Sequence, residues 1–147
     1  MTSFARLTRS PIDPVGLIAA VADSSNGAIL LFLGVVRDVN DGRAVTGIEY
    51  SAYESMAARE LEAIAAEASE RFATHCLAIE HRLGELALEE ASVGIAVAHP
   101  RRDGAYRASR WILEELKRRV PIWKREHYAD GTREWVDPTR ASMSVTS

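Results

Sequence analysis

The sequence predicts an α+β fold, with helices packed on a mostly antiparallel sheet and a ferredoxin-like middle portion. Three observations predict it. Residues 55–72, "SMAARELEAIAAEASERF", set Ala57, Leu61, Ile64, Ala65, Ala68 and Phe72 on one helical stripe with acids and arginine opposite. "GAILLFLGVVRDV" is a long apolar run rich in branched residues, the pattern of a central strand buried on both faces. Helical and extended patterns then alternate as α-β-β-α-β-β-α, followed by a short hairpin.

Taken in order, "IDPVGLIAAVADSSNG" reads as a helix that Asp13 caps, Pro14 starts and the Ser24–Gly27 stretch ends. The apolar strand follows, with Arg37 at its end and the turn signal "NDG" at 40–42. "AVTGIEYSAYE" alternates, with Ile48, Tyr50 and Ala52 on one side and Glu49, Ser51 and Tyr53 on the other, a strand with one wetter face. After the 55–72 helix, "CLAIEHRLGEL" and "ASVGIAVAHP" read as two strands. "DGAYRASRWILEELKRRV" is a second amphipathic helix, its inner face made by Ala105, Ser109, Ile112, Leu116 and Val120, and Pro121 stops it. "PIWKREHYADGTREWVDP" supplies two short extended pieces around "ADGT". No repeat, linker or low-complexity tract interrupts the chain. Residues 1–140 are expected to form a single domain and 141–147 a flexible tail.

At 147 residues, one such domain buries about two-thirds of its unfolded surface. The charge of −3 argues against a general nucleic-acid binder. No apolar run is long enough to span a membrane, and the N-terminus has no secretory h-region, so the expected setting is the cytoplasm. The single cysteine, Cys76, excludes an internal disulfide and reads as a small buried hydrophobe. No metal is expected, because the four histidines show no ligand spacing. No glycine-rich phosphate loop is present.

Charge is unevenly placed. Nine of the eighteen Lys and Arg residues lie between Arg101 and Arg125, against three acids. A positive field on an acidic protein suits an anionic ligand or an acidic partner terminus. Its most unusual part is "LKRRVPIWKRE", five cations in eleven residues with Pro-Ile-Trp between them. A solvated helix end has no need of Pro-Ile-Trp, and a core strand rejects lysine. Ile122 and Trp123 would pack on the body and hold Lys124 in place. Two partly desolvated lysines, Lys117 and Lys124, would depress each other's pKa and favour proton transfer or nucleophilic work. The plainer reading, in which Lys117 complements the helix C-terminus, stays open. Arg37, where an apolar strand leaves the core, is a candidate ligand contact. "AHPRRDG", joining a strand to a helix N-terminus, suits a phosphate through His99, Arg101 and Arg102.

"GAILLFLGVVRD", "YESMA", "HRLGEL", "LKRRVPIWKRE" and "REWVD" occur in this order over residues 10–138. With these motifs the chain resembles the catalytic (large) subunit family of molybdopterin synthase. The resemblance implies an α/β hammerhead-type fold with a small additional antiparallel β subdomain. It implies a sulfurtransferase of molybdenum cofactor biosynthesis, converting cyclic pyranopterin monophosphate to molybdopterin by adding two sulfurs that form a dithiolene. The sulfur comes from the C-terminal thiocarboxylate of a small ubiquitin-like subunit ending in Gly-Gly. No cofactor of its own is implied, since the product binds molybdenum only later. The assembly implied is a homodimer of large subunits with one small subunit at each end, a heterotetramer.

By position, Lys117 and Lys124 match the family's two active-site lysines. Lys117 is assigned to the partner's C-terminus and the acid–base steps, Lys124 to orienting substrate and stabilising developing charge. Arg37 matches the strand-end arginine that would bind phosphate or pterin. Arg125 and Glu126 belong to the same motif, and Glu126 would orient a cation or a pterin nitrogen. The loop His99-Pro100-Arg101-Arg102-Asp103-Gly104 is about two residues longer than the family's His-Arg opening. Arg102 takes the arginine's place, and either His99 or Arg101 that of the histidine. Arg140 is the candidate for an arginine reaching in from a neighbouring subunit. A different class of function, a non-catalytic binding module holding an acidic peptide or nucleotide in the same groove, is kept by the altered loop.

Overall fold

The computed structural model describes residues 3–136. Its elements are β1 (Phe4–Thr8), α1 (Pro14–Val21), β2 (Ala28–Val35), β3 (Val39–Asn40), β4 (Arg43–Ala52), α2 (Glu54–Phe72), β5 (Leu77–Arg82), β6 (Gly84–Ala87), β7 (Ala91–His99), α3 (Arg102–Arg119), β8 (Ile122–Tyr128) and β9 (Arg133–Val136). They form two sheets, one in the order β1-β5-β7-β2 and one in the order β3-β4-β8-β9 with β6 also on β4. None of the described helices is long and apolar enough to cross a membrane. The expected tail and Arg140 lie outside the described residues.

The first sheet is a layer between helices. Odd residues of β5 and β7 (Leu77, Ile79, Val93, Ile95, Val97) face the buried stripes of α2 and α3. Even residues (Ala78, Ala96, Ala98), with Cys76, face Leu17 and Val21 of α1. Side chains on both sides of the sheet explain why these two strands are the buried ones. Each fully buried Leu or Ile here contributes about 1.5–3 kcal/mol. α1 begins at Pro14 as expected, and Asp13 is its N-cap residue. The Asp13 side chain makes no capping hydrogen bond; its carbonyl accepts from Leu17 N–H at 3.0 Å.

β2 is not the central strand that its composition predicts. It pairs only with β7 and lies at the sheet edge, with Ile29 47% and Val35 53% exposed. Both β2 and β5 run antiparallel to β7, so β2, α2 and β5 make a split β-α-β unit, the ferredoxin-like portion. In a complete ferredoxin-like sheet the strand after α3 would flank β2. Here β8 crosses to the second sheet instead, which leaves β2 uncovered. The opposite edge is filled by β1, parallel to β5, a strand absent from the expected element order.

The second antiparallel sheet is larger than the terminal hairpin. β8 pairs along β4 from Val45↔Tyr128 to Ala52↔Ile122, and β9 adds to β8. "CLAIEHRLGEL" is two strands, since β5 stays in the first sheet while β6 joins β4. Gly84, at φ +103°, makes the change of direction between them. The "NDG" turn joins β3 to β4 with Asp41 and Gly42 both at positive φ, the left-handed pair that a two-residue hairpin needs.

Candidate active site

The ladder between β2 and β7 runs from Ala28↔His99 to Val35↔Ala91, about 25 Å at roughly 3.3 Å per residue. Arg37 is exposed just beyond its far end. Val36 before it is tied to the β6–β7 turn, donating to Glu90 O (3.0 Å) and accepting from Glu89 N (2.7 Å). His99, Arg101 and Arg102 stand at the near end, where α3 begins. α3 then folds back antiparallel to α2, with Trp111 edge-on to Phe72 and Arg119 on Glu60 and Glu67. Its last turn, with Lys117, therefore returns to the end that holds Arg37. There Tyr53 N donates to Pro121 O (3.2 Å), and Glu54 holds Arg9 (2.8 Å). Lys124 lies at this end too, since its partner Tyr50 touches His81 and His81 pairs with Val93. The structure thus gathers Arg37, Lys117 and Lys124 at one end of the chain. His99, Arg101 and Arg102 are a ladder's length away from them within the same chain.

β8 sorts its motif by alternation. Ile122, Lys124 and Glu126 point to one face and Trp123, Arg125 and His127 to the other. Lys124 Nζ lies 3.1 Å from Glu126 Oε1, with side chains 21% and 2% exposed. The other carboxylate oxygen, Oε2, is buried and has no hydrogen-bond partner among the described residues. Glu126 stands directly opposite Ile48, in the row that forms a small apolar cluster of Val36, Val45, Ile48, Leu86 and Tyr128. Arg125, on the other face, donates to Glu49 (2.6 and 3.1 Å) and lies 5.0 Å from the Trp135 ring centroid. It therefore does not share a face with Lys124.

Part of the cation surplus is neutralised by acids, some within the cluster and some from elsewhere in the chain. Arg119 binds Glu60, Glu67 and Glu115 at 3.1, 2.8 and 3.3 Å. Hydrogen bonding to Glu67 is the main cause of its guanidinium being held even more firmly protonated than usual. Arg118 pairs with Glu115 at 2.5 Å and Arg107 with Asp103 at 3.8 Å. Among the described residues Lys117, Arg37, Arg101 and Arg102 make no ion pair, and they remain available to an anion.

His99 is engaged on both ring nitrogens. Nε2–H donates to Phe72 O (2.9 Å) and Nδ1 accepts from Arg101 N–H (3.0 Å). The ring lies over Gly104, where an added Cβ would come within 2.2–2.4 Å of it. His99 thus ties the end of α2 to the start of α3, and the free cations of this loop are Arg101 and Arg102. Cys76 is buried and accepts from Asn26 Nδ2 at 3.2 Å.

One signal in the sequence marks the lysines more sharply than their surroundings do. Lys117 and Lys124 are the only two lysines in the chain; the other sixteen of its eighteen Lys and Arg residues are arginine. A protein that uses arginine for every other cation keeps the compact ammonium for these two places. The Tyr50–His81 contact, by contrast, leaves no trace in local sequence.

The cation-bearing end of this α+β domain is thus built from a helix terminus and strands of both sheets. Residues 7–119 match the model of the MoaE protein family. The chain is 41% identical over 129 residues to the molybdopterin synthase catalytic subunit of Emericella nidulans, covering 88% of this chain and 66% of that protein. The molybdopterin synthase crystal structure from Staphylococcus aureus superposes with a TM-score of 0.85 at 33% identity, covering 90% of this chain and 96% of that one. A complex of subunits 1 and 2 of the molybdopterin-converting factor from Helicobacter pylori shares the fold, with a TM-score of 0.73 at 20% identity over 90% of this chain and 89% of that one. The chain belongs to the MoaE family, that of molybdopterin synthase catalytic subunits. It spans about two-thirds of the length of the fungal relatives it matches.

Proposed function

We propose that the chain is the catalytic subunit of a molybdopterin synthase, a sulfurtransferase that adds two sulfurs to cyclic pyranopterin monophosphate. The observation that carries this reading is the placing of the chain's only two lysines, with Arg37, at one end of the molecule. Family membership supports it. The sulfur donor is a small ubiquitin-like subunit whose C-terminal thiocarboxylate enters at this end, as in the family resemblance. The chain's one cysteine is buried, so sulfur delivered by a partner fits better than sulfur carried on the chain.

The chemistry follows from charge. A thiocarboxylate and a phosphate are both anions, and both are drawn to cations that carry no partner carboxylate, such as Arg37 and Lys117 among the described residues. Lys117, exposed on the last turn of α3, meets the incoming tail and exchanges protons as sulfur attacks. Lys124, anchored on Glu126, stabilises the negative charge that develops on the reacting oxygen. Arg37 holds phosphate or pterin. Arg101 and Arg102 are too far along the same chain to join them, so they serve a neighbouring large subunit in the proposed homodimer.

The test mixes the purified chain with cyclic pyranopterin monophosphate and a thiocarboxylated small subunit and measures molybdopterin. Product from the wild type, lost in Lys117→Ala and Lys124→Ala at unchanged folding, is the expected result. Binding of the small subunit with no product from the wild type would favour the non-catalytic binding module instead.

A further inference from the structure

Lys124 has two cross-strand neighbours, Tyr50 on β4 and Val136 on β9. Side chains in such pairs share a face with Cβ atoms about 4.5–5.5 Å apart, so the Tyr50 ring forms a wall beside the Lys124 stem. On its other flank Tyr50 faces Gly84 of β6, which has no side chain to support the ring. Support comes from the other sheet. The His81 ring meets Tyr50 edge-on, with centroids 5.2 Å apart and planes at 67°. His81 is separated from Gly84 by two residues, so the glycine that turns the chain from one sheet to the next also leaves the space into which His81 reaches.

His81 is itself held firmly. It is 6% exposed, and Nδ1–H donates to the Arg82 carbonyl at 3.2 Å, which leaves Nε2 as the unprotonated nitrogen. Its strand neighbours are Leu7 on β1 and Val93 on β7, neither of them a counter-charge. Burial pushes its pKa down to about 4, so the imidazole is neutral at physiological pH. Neutrality matters here, because a second cation behind Tyr50 would repel the ammonium of Lys124.

We propose that His81 is a positioning residue of the site: its neutral ring braces Tyr50, and Tyr50 in turn fixes where the Lys124 ammonium stands relative to Glu126 and the reacting ligand. The proposal rests on the reading of Lys124 as the ammonium that stabilises developing charge and adds two residues to the machinery.

The chain's two lysines make a direct test possible. Reductive ¹³C-methylation yields dimethyl-lysine NMR signals only from Lys117 and Lys124, apart from the N-terminus, and Lys124→Arg assigns them. His81→Ala and Tyr50→Leu are each expected to displace the Lys124 signal while leaving that of Lys117 in place. His81→Phe, which keeps an edge-on ring, is expected to restore it. In the synthase assay the same pattern appears as a kcat lowered roughly tenfold to a hundredfold, as for a misplaced catalytic group, at little-changed KM, again rescued by His81→Phe. A Lys124 signal unmoved in folded His81→Ala and Tyr50→Leu proteins would overturn the proposal, even if melting temperature and activity both fell. The NMR arm needs no substrate, so it decides the matter even if the synthase reading fails.

Discussion

Glu126 holds the Lys124 ammonium 3.1 Å from Oε1 while its own Oε2 lies buried without a partner among the described residues. A buried acceptor left unsatisfied costs about 1–3 kcal/mol, more when it is charged, and a fold under no other demand would fill the place with an apolar side chain. Here the place is given to a carboxylate that pairs with an ammonium only 21% exposed.

Glu126→Gln separates these two effects. It removes the buried charge at constant shape, so stability to urea is expected to stay level or rise. Activity in the synthase assay is expected to fall by at least about tenfold, as for one lost transition-state charge contact. Paired urea melts and rate measurements check this, and a loss of stability in step with activity would contradict it.

Gly104→Ala tests the junction of α2 and α3. The new methyl would enter the His99 ring, which must then give up its bonds to Phe72 O and Arg101 N. Overpacking of this kind costs about 1–3 kcal/mol, although alanine suits a helix better than glycine. Thermal melting is expected to show a net loss, and His99→Ala in the same background should recover part of it.

Acid acts on the clamp between α2 and α3. Hydrogen bonding to Arg119 lowers the pKa of Glu67. Glu115 is also lowered, first by Arg118 and then by Arg119. Carboxylates whose folded pKa lies below the unfolded value stabilise the fold above that unfolded value, 4.5, and lose the contribution as pH falls through the folded one. Arg119→Met is therefore expected to lower stability at pH 7 and to flatten its decline below about pH 4.5, measured by urea melts across pH. An unchanged slope would show that the clamp is not what acid breaks.

His81 acts in a neighbouring window by a different route. Burial holds its folded pKa at about 4, below the ordinary imidazole value of 6.5, so the unfolded chain binds the extra proton between these values. Stability contributed by the neutral ring is present above pH 6.5 and falls on acidification toward pH 4, by on the order of 3 kcal/mol in all. His81→Phe should remove that slope, and a wild type flat from pH 6.5 to 4.5 would contradict it.

How far the sequence could be read varies with how local each signal is. The stripe of α2 needs only its own residues, and its six inward positions are buried as expected. "LKRRVPIWKRE" stood out because Pro-Ile-Trp fits neither a solvated helix nor a strand rich in lysine. β2 was misread because an apolar run has the same composition whether neighbours cover it or not, and its edge position depends on β8 crossing to another sheet. β1 escaped because "FARLT" becomes a strand only through parallel pairing with β5, some seventy residues on. The facing of Arg125 away from Lys124 was legible from alternation alone. Bracing of Tyr50 by His81 was not, since it exists only where two sheets meet.

The central claim is that Lys117 and Lys124 take part in the chemistry, Lys117 as a titratable amine and Lys124 as a compact, placed ammonium, and are not merely an anchor for anions. Lys117→Arg and Lys124→Arg keep the cation but replace a titratable ammonium by a guanidinium that does not give up its proton. Single-turnover formation of molybdopterin, with the thiocarboxylated small subunit in excess, is the most direct measurement. At least one arginine variant is predicted to bind the small subunit normally yet lose product about a hundredfold or more, within the range of general acid–base catalysis. Product formed at wild-type rates by both would contradict the account and reduce the pair to an anchor for anions.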